Sequence, residues 1–187
     1  FALRRQALGI IRILIDGKLP LSLDDIMQIA FKQFENDDAL SAVKDFFFDR
    51  LSVNLRDQGA STLEVDAVLS LKPELLTEVP QRLSAVRTFA SLQEGPALAA
   101  ANKRVGNILK KIDGEVKAQI NNTLLQEPQE KALAEALAKT KPEADKLFES
   151  GDYTASLQAL AALKGPVDDF FDNVMVNADD PALKANR

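Results

Sequence analysis

The chain has 187 residues, 46% of them hydrophobic, so it can bury a core as one large domain or two small ones. It contains no cysteine and no histidine, which excludes disulfide bonds, thiolate metal sites and catalysis by a serine–histidine pair. The net charge of −5 argues against a protein that binds nucleic acid over its whole surface.

The abundance of alanine and leucine, with only eight glycines and eight prolines, predicts an all-α fold. We expect a helical bundle of about eight to ten helices, as one domain or two helical subdomains. The longest apolar run, residues 10–15, is interrupted by Arg12 and is too short to span a bilayer. With no charged-then-apolar leader, the sequence predicts a soluble protein, and the absence of cysteine fits the cytoplasm.

The first half predicts five helices with clear start signals. Three of them cover residues 2–15, 39–56 and 81–92. The second helix is expected to run from a cap at Ser22 to about Phe34, and the fourth from a cap at Ser61 to Leu71. In the first helix we expect an apolar stripe of Leu3, Ala7, Ile10, Ile11 and Leu14. Ser61 and Glu64 have the spacing of a capping box. Residues 35–38 are predicted to form the turn after the second helix, and residues 73–80 to form the connector before the fifth.

Three consecutive phenylalanines, Phe46 to Phe48, lie in the third predicted helix near Arg50 and Arg56. A base-stacking surface is one interpretation of this cluster. Core packing is the favoured one, because consecutive side chains on a helix cannot all face one ligand.

The second half also reads as helices separated by glycine and proline. Gly95-Pro96 starts one helix, and Pro128 starts another, which Pro142 is expected to kink or split. Asp152 is expected to cap a helix that runs until Gly165-Pro166. An apolar face and a final helix start follow; the residues concerned are Val167, Phe170, Phe171, Val174 and Met175, then Asp179, Asp180 and Pro181.

The segment from Leu98 to Ile112 is amphipathic and basic. An apolar stripe comprises Leu98, Ala101, Val105, Ile108, Leu109 and Ile112, and the opposite arc carries Lys103, Arg104, Asn107, Lys110 and Lys111. Residues 80–111, which include Arg82 and Arg87, contain six basic side chains and one acidic one. This window therefore has a net charge of +5, and the rest of the chain has a net charge of −10. A basic region on an acidic chain suits an anionic partner held at one place, although a solvated helix face is the simpler alternative.

The sequence Ala-Ala-Asn-Lys-Arg-Val-Gly-Asn-Ile-Leu at residues 100–109 resembles a family signature. It is similar to the signature helix of the DALR-type anticodon-binding domain at the C-terminal end of the β subunit of bacterial two-subunit glycyl-tRNA synthetases. Further stretches resemble the same subunit, in the same order; they are residues 1–14, 126–130, 151–153 and 166–187. The resemblance covers nearly the whole chain.

The resemblance implies that residues 1–72 precede the anticodon-binding domain and that residues 73–187 form it, truncated within its last helix. It implies binding of the anticodon arm of tRNA-Gly. From charge and helix position, Lys103, Arg104, Lys110 and Lys111 are the candidates to hold phosphates and Asn107 to reach a base or a ribose, with Arg82 and Arg87 as further candidate RNA-binding residues. Catalysis with ATP would reside in a separate α subunit, as part of a heterotetramer. We therefore expect no catalytic residue, metal or cofactor in this chain, which opens on Phe1 and is expected to be a piece of a longer protein.

Other interpretations remain open for several of these residues. Arg104 could form a salt bridge to a neighbouring helix, and Asn107 a hydrogen bond from its helix to a loop. The pairs Asp24-Asp25, Asp168-Asp169 and Asp179-Asp180 are expected at helix starts, where capping and the helix dipole account for them better than catalysis. A helical protein–protein scaffold that docks a partner through residues 167–176 is the alternative function.

Overall fold

In the computed structural model, the residues described are 2–32, 37–112, 116 and 118–187, with the backbone alone for 37 and 38. The α-helices of this part are α1 (Ala2–Asp16), α2 (Leu23–Phe31), α3 (Asp37–Asp57), α4 (Thr62–Leu69), α5 (Val79–Ser91), α6 (Gly95–Leu109), α7 (Pro128–Glu149), α8 (Tyr153–Leu160), α9 (Lys164–Asn173) and α10 (Pro181–Asn186). Short 3₁₀ helices cover Leu76–Glu78, Asn122–Leu124 and Ala161–Leu163. The described part contains no strand, which confirms the predicted all-α class.

The chain divides into two compact units, Phe1–Arg87 and Thr88–Arg187. This division falls within α5, later than the boundary predicted between residues 72 and 73. The reason is that the segment after α4 pairs with the start of α2. The Leu23 N–H donates to the Glu74 carbonyl at 3.1 Å, and Ser22 and Leu75 form an isolated antiparallel bridge. Residues 73–87 therefore pack with the first unit.

The first unit has a core built from one side of each helix. From α1 it takes Ile11 and Leu14, whereas Leu3 is 72% exposed and Ile10 is also exposed, so these two were wrongly placed on the buried stripe. The buried side of α1 is narrower than predicted because it follows the spacing of Ala7, Ile11 and Leu14.

The predicted capping signals of the first unit are confirmed. Ser22 Oγ accepts from the Asp25 N–H, and the Ser61–Glu64 capping box has both of its reciprocal hydrogen bonds. Helix α2 ends at Phe31, before the predicted end. Of the predicted turn at residues 35–38, the first two lie outside the described residues and the last two already belong to α3.

The three consecutive phenylalanines of α3 point in different directions, as expected. Phe48 is buried and Phe47 packs against the core of the first unit. Phe46 is half-buried, and the Arg50 guanidinium lies 5.5 Å from its ring centroid. These rings do not form a common stacking surface.

The second unit is organised around α7, against which α8 and α9 pack. Pro142 lies inside α7, which continues through it, so the predicted split is wrong, whereas the predicted kink stays a prediction. The missing N–H of Pro142 would have bonded the carbonyl of Ala138, an exposed residue that water can reach. The predicted stop at Gly165-Pro166 was also wrong: α9 already begins at Lys164, and Pro166 occupies its first turn, where an N–H needs no helical acceptor.

A buried carboxylate connects three segments of the second unit. Glu130 Oε2 accepts the Gln126 and Glu127 N–H groups, both at 2.7 Å, and Arg187 Nε donates to Glu130 Oε1 at 2.5 Å. Arg187 Nη1 also donates to the Met175 carbonyl at 2.8 Å. Burial alone would raise the pKa of Glu130, but the Glu127 and Gln126 N–H groups and the Arg187 guanidinium outweigh it and lower the pKa below 4.5.

Gly95 is required at the start of α6. A Cβ there would lie 2.3 Å from the Phe89 carbonyl oxygen, whereas a Cβ on Gly106 of the same helix would meet nothing within 4 Å. We expect Gly95→Ala to destabilise the second unit by about 1–3 kcal/mol and Gly106→Ala to stabilise it by roughly 0.5–1 kcal/mol. Urea unfolding followed by fluorescence measures this, because Tyr153 is the single tyrosine of a chain without tryptophan and is buried in the second unit. Equal effects of the two substitutions would contradict the close approach.

The Glu130–Arg187 pair predicts a pH-dependent stability. Because the pKa of Glu130 is lowered in the folded state, its contribution is complete above the unfolded value near 4.5 and is lost as the pH falls through the folded value. Glu130→Gln should therefore cost about 3–5 kcal/mol at pH 7, and this difference from the unaltered chain should shrink below pH 4.5. The same fluorescence-monitored unfolding at both pH values tests it. A difference that does not change with pH would contradict an ionised Glu130.

Candidate nucleic-acid interface

Helix α6 lies at the surface of the second unit. It packs against α9 and the 3₁₀ helix Ala161–Leu163. The predicted apolar stripe is buried only in part: Leu98, Ala101 and Ile108 are half-buried. In contrast, the other members remain exposed; they are Val105 at 39%, Leu109 at 46% and Ile112 at 39%. The direction of the predicted stripe was therefore correct, but its burial was overestimated, because among the described elements α6 packs mainly against α9 and one short 3₁₀ helix.

The predicted RNA-binding residues of α6 and its C-terminal end are all exposed; they are Lys103, Arg104, Asn107, Lys110 and Lys111. Among the residues that the structure describes, no carboxylate lies within ion-pair distance of these four cations. Neither the salt bridge considered for Arg104 nor the helix-to-loop hydrogen bond considered for Asn107 is present in that part of the chain. These charges are available to an external anion.

Arg104 differs from the three lysines because it stacks on an aromatic ring. Its guanidinium carbon lies 4.1 Å from the ring centroid of Phe171 on α9. The Phe171 ring in turn makes an edge-to-face contact with Phe170, with centroids 5.6 Å apart and planes at 72°, and Phe170 is buried. From the sequence, Phe171 could be assigned only to an apolar face, since no local pattern connects it to Arg104.

Arg82 and Arg87 are not brought together with the α6 cations within one unit, since both belong to the first. Arg82 Nη2 donates to Glu78 Oε2 at 2.8 Å, and Arg87 Nε donates to Glu64 Oε1 at 3.1 Å. The pKa of Glu64 is lowered, chiefly by the Ser61 N–H and then by Arg87. The proposed contact of Arg82 and Arg87 with RNA stays a prediction, and RNA would have to compete with the ion pairs that these two arginines form with Glu78 and Glu64.

One further cation beside α6 was missed by the sequence analysis. Lys164, at the start of α9, donates to Asp168 at 2.8 Å, and its pKa is raised first by that hydrogen bond and charge and then by Glu94 at the start of α6. Asp168 and Asp169 lie in the second turn of α9, not at its start as predicted, because that helix begins at Lys164. Its i, i+4 spacing from Asp168 is the signal that could have revealed Lys164.

The other paired acids have structural roles. Asp24 and Asp25 occupy the first turn of α2, as predicted, and Asp24 pairs with Lys44 at 2.6 Å. Asp180 caps α10 by accepting the Ala182 and Leu183 N–H groups. The described ranges hold no group of three or more acidic side chains placed to bind a metal ion. Nor do they include a helix whose length and hydropathy together would let it traverse a bilayer.

Two family profiles match the chain. Residues 1–70 match the family described as glycyl-tRNA synthetase beta subunit, and residues 98–187 match the DALR anticodon binding domain. Curated relatives named glycine–tRNA ligase beta subunit align over the whole chain. Identity is 60% in Methylobacillus flagellatus, 61% in Leptothrix cholodnii and 58% in Janthinobacterium sp. (strain Marseille). The chain spans 26–27% of the length of these relatives.

The helical second unit, with α6 carrying the basic signature, therefore contains a domain of the DALR anticodon-binding class. Residues 1–70, which precede this domain, match the glycyl-tRNA synthetase β-subunit family. The chain belongs to the glycyl-tRNA synthetase β-subunit family.

The stacking of Arg104 on Phe171 predicts a measurable energetic coupling between α6 and α9. In a double-mutant cycle of Arg104→Ala and Phe171→Leu, we expect a coupling of about 0.5–1 kcal/mol, the range for an exposed cation–π contact. Urea unfolding with Tyr153 fluorescence measures it. Phe171→Leu keeps an apolar side chain, so strictly additive losses would show that the two side chains do not interact.

Proposed function

We propose that this chain is the tRNA-binding part of the β subunit of a two-subunit glycine–tRNA ligase, and that it binds the anticodon arm of tRNA-Gly. The observation that carries the proposal is a group of exposed cations on α6 and just after its end, which have no carboxylate partner among the described residues, in a chain with net charge −5. That helix lies in the region that matches the DALR anticodon binding domain. The relatives named glycine–tRNA ligase beta subunit support glycine-specific tRNA as the RNA that this chain binds.

The charge distribution suits a single point of attachment for RNA. Lys103, Lys110 and Lys111 carry compact ammonium groups, which can neutralise phosphates without reading sequence. Asn107 lies among them and offers an amide that can bond a ribose or an unpaired base. Because the remainder of the chain is acidic, RNA that approaches elsewhere is repelled, and the approach is directed to α6.

The same proposal places the chemistry outside this chain. Activation of glycine with ATP would be carried out by a partner α subunit in the cytoplasm, and this chain would hold the tRNA for that reaction. The word "beta" in the names of the relatives supports the existence of a partner subunit. As part of this ligase, the chain would contribute binding and no catalytic residue.

The alternative function, a protein–protein scaffold, finds less support in the geometry. It relied on an apolar face at residues 167–176. Phe170 and Val174 of that face are buried inside the second unit, and Phe171 is covered in part by Arg104. Met175, which is 72% exposed, is left as its one strongly exposed apolar side chain. A docking surface of this kind would need several such side chains together.

Neutralising the α6 lysines should weaken RNA binding in a salt-dependent way. We expect Lys103→Ala and Lys110→Ala each to lower the affinity for tRNA-Gly and to reduce the slope of log K against log salt by roughly one unit. Lys139→Ala on α7 is the matched control, because Lys139 is an exposed helical lysine of the same unit and its loss changes the net charge equally. Filter binding at several salt concentrations measures both quantities.

The outcome separates a specific site from a general charge effect. If Lys139→Ala weakened binding as much as Lys103→Ala, net charge alone would account for the interaction. If the unaltered protein did not bind tRNA-Gly, or the α6 variants bound it equally well, the proposed interface would be wrong.

A further inference from the structure

We propose that Arg104, whose guanidinium lies over the ring of Phe171, is a stacking platform for one unpaired base of the bound RNA rather than a phosphate contact. The inference rests on the proposed function, and it assigns Arg104 a role different from that of the lysines beside it. The observation is the 4.1 Å separation between the Arg104 guanidinium carbon and the Phe171 ring centroid.

The platform is fixed from the core outward. Phe170 is buried, Phe171 packs edge-to-face on Phe170, and Arg104 stacks on Phe171. Each contact restricts the freedom of the next side chain, so the guanidinium is partly held in place before any ligand arrives. An unsupported surface arginine would lose rotamer freedom when a base stacked on it, whereas Arg104 has already lost part of that freedom.

The contact with Phe171 does not enclose Arg104. The guanidinium carbon lies over the Phe171 ring, and the residue as a whole remains exposed. We therefore place the base on the guanidinium face turned away from the ring, the open face of the platform. Unpaired bases of RNA loops stack on aromatic rings and on arginine guanidinium planes. A base placed on the open face would complete a stack of ring, guanidinium and base, with both outer partners attracted by the same cation.

The charges around Phe171 favour a base over a phosphate at this position. Helix α9 carries Asp168, Asp169 and Asp172 within one turn of Phe171. Asp168 is paired with Lys164, and the Asp169 and Asp172 side chains are exposed. A phosphate that approached Arg104 along α9 would meet these carboxylates, whereas a neutral base would not be repelled. Among the described residues, Lys103, Lys110 and Lys111 have no carboxylate within ion-pair distance, and they suit phosphates.

The test uses the intact β subunit with its α subunit and an anticodon stem-loop of tRNA-Gly. The stem-loop carries 2-aminopurine at each unpaired loop position in turn, because stacking quenches its fluorescence. Arg104→Lys keeps the charge and removes the plane, Phe171→Leu removes the ring but keeps an apolar side chain, and Lys110→Ala removes a charge without touching the platform. Circular dichroism and size-exclusion chromatography of the complex verify the fold and assembly of each variant.

We expect Arg104→Lys to weaken binding by roughly 5- to 150-fold, the range for one stacked base, with an unchanged salt slope. Fluorescence should increase at one loop position, and Phe171→Leu should increase it at the same position. Lys110→Ala should instead reduce the salt slope by about one unit and leave that fluorescence quenched.

The results that would overturn the platform differ from those that would overturn the proposed function. If Arg104→Lys bound as tightly as the unaltered protein and Arg104→Ala lowered the salt slope, Arg104 would be a phosphate contact and the proposed function would stand. If the unaltered protein failed to bind the stem-loop, both proposals would fail. Should Phe171→Leu unfold the second unit, the Arg104→Lys result alone decides, since that side chain is exposed.

Discussion

The buried carboxylate of Glu130 joins three segments of the second unit. It caps the first turn of α7 through two backbone N–H groups and pairs with Arg187, which in turn bonds the Met175 carbonyl just after α9. Both charged side chains are nearly inaccessible, at 8% and 2% exposure, so their attraction is weakly screened and either partner alone would be costly. Helices α7 and α10 and the end of α9 are thereby tied at one point.

The position of the candidate interface depends on this connection through packing. Helix α9 lies on α7, and α6 lies on α9. Because α9 carries Phe171, the orientation of the Arg104 guanidinium follows from how α9 is seated. The lysines of α6 need no such support, since a phosphate contact tolerates a flexible side chain. The proposed interface would thus combine one arginine that is supported by a ring with lysines that have no such support.

Local signals in the sequence predicted much of the fold, and non-local packing accounts for the misses. Caps at Ser22, Ser61 and Asp152 are formed by residues within one turn, so their spacing is sufficient to predict them. Pro142 does not split α7, and Pro166 does not end a helix, because a helix tolerates a proline where water reaches the freed carbonyl or where the proline lies in the first turn. The outward cations of α6 followed from helical pitch, but the ion pairs of Arg82 and Arg87 and the Arg104–Phe171 stack join residues whose proximity only the folded chain defines.

Ultraviolet cross-linking of tRNA-Gly to the intact ligase, followed by mass spectrometry of the cross-linked peptides, tests the central claim most directly. The account predicts RNA adducts on peptides from α6 and on the α9 peptide that contains Phe171. An excess of free anticodon stem-loop should compete for the same site and reduce the tRNA-Gly adducts on these peptides. Adducts confined to peptides outside the second unit would contradict it.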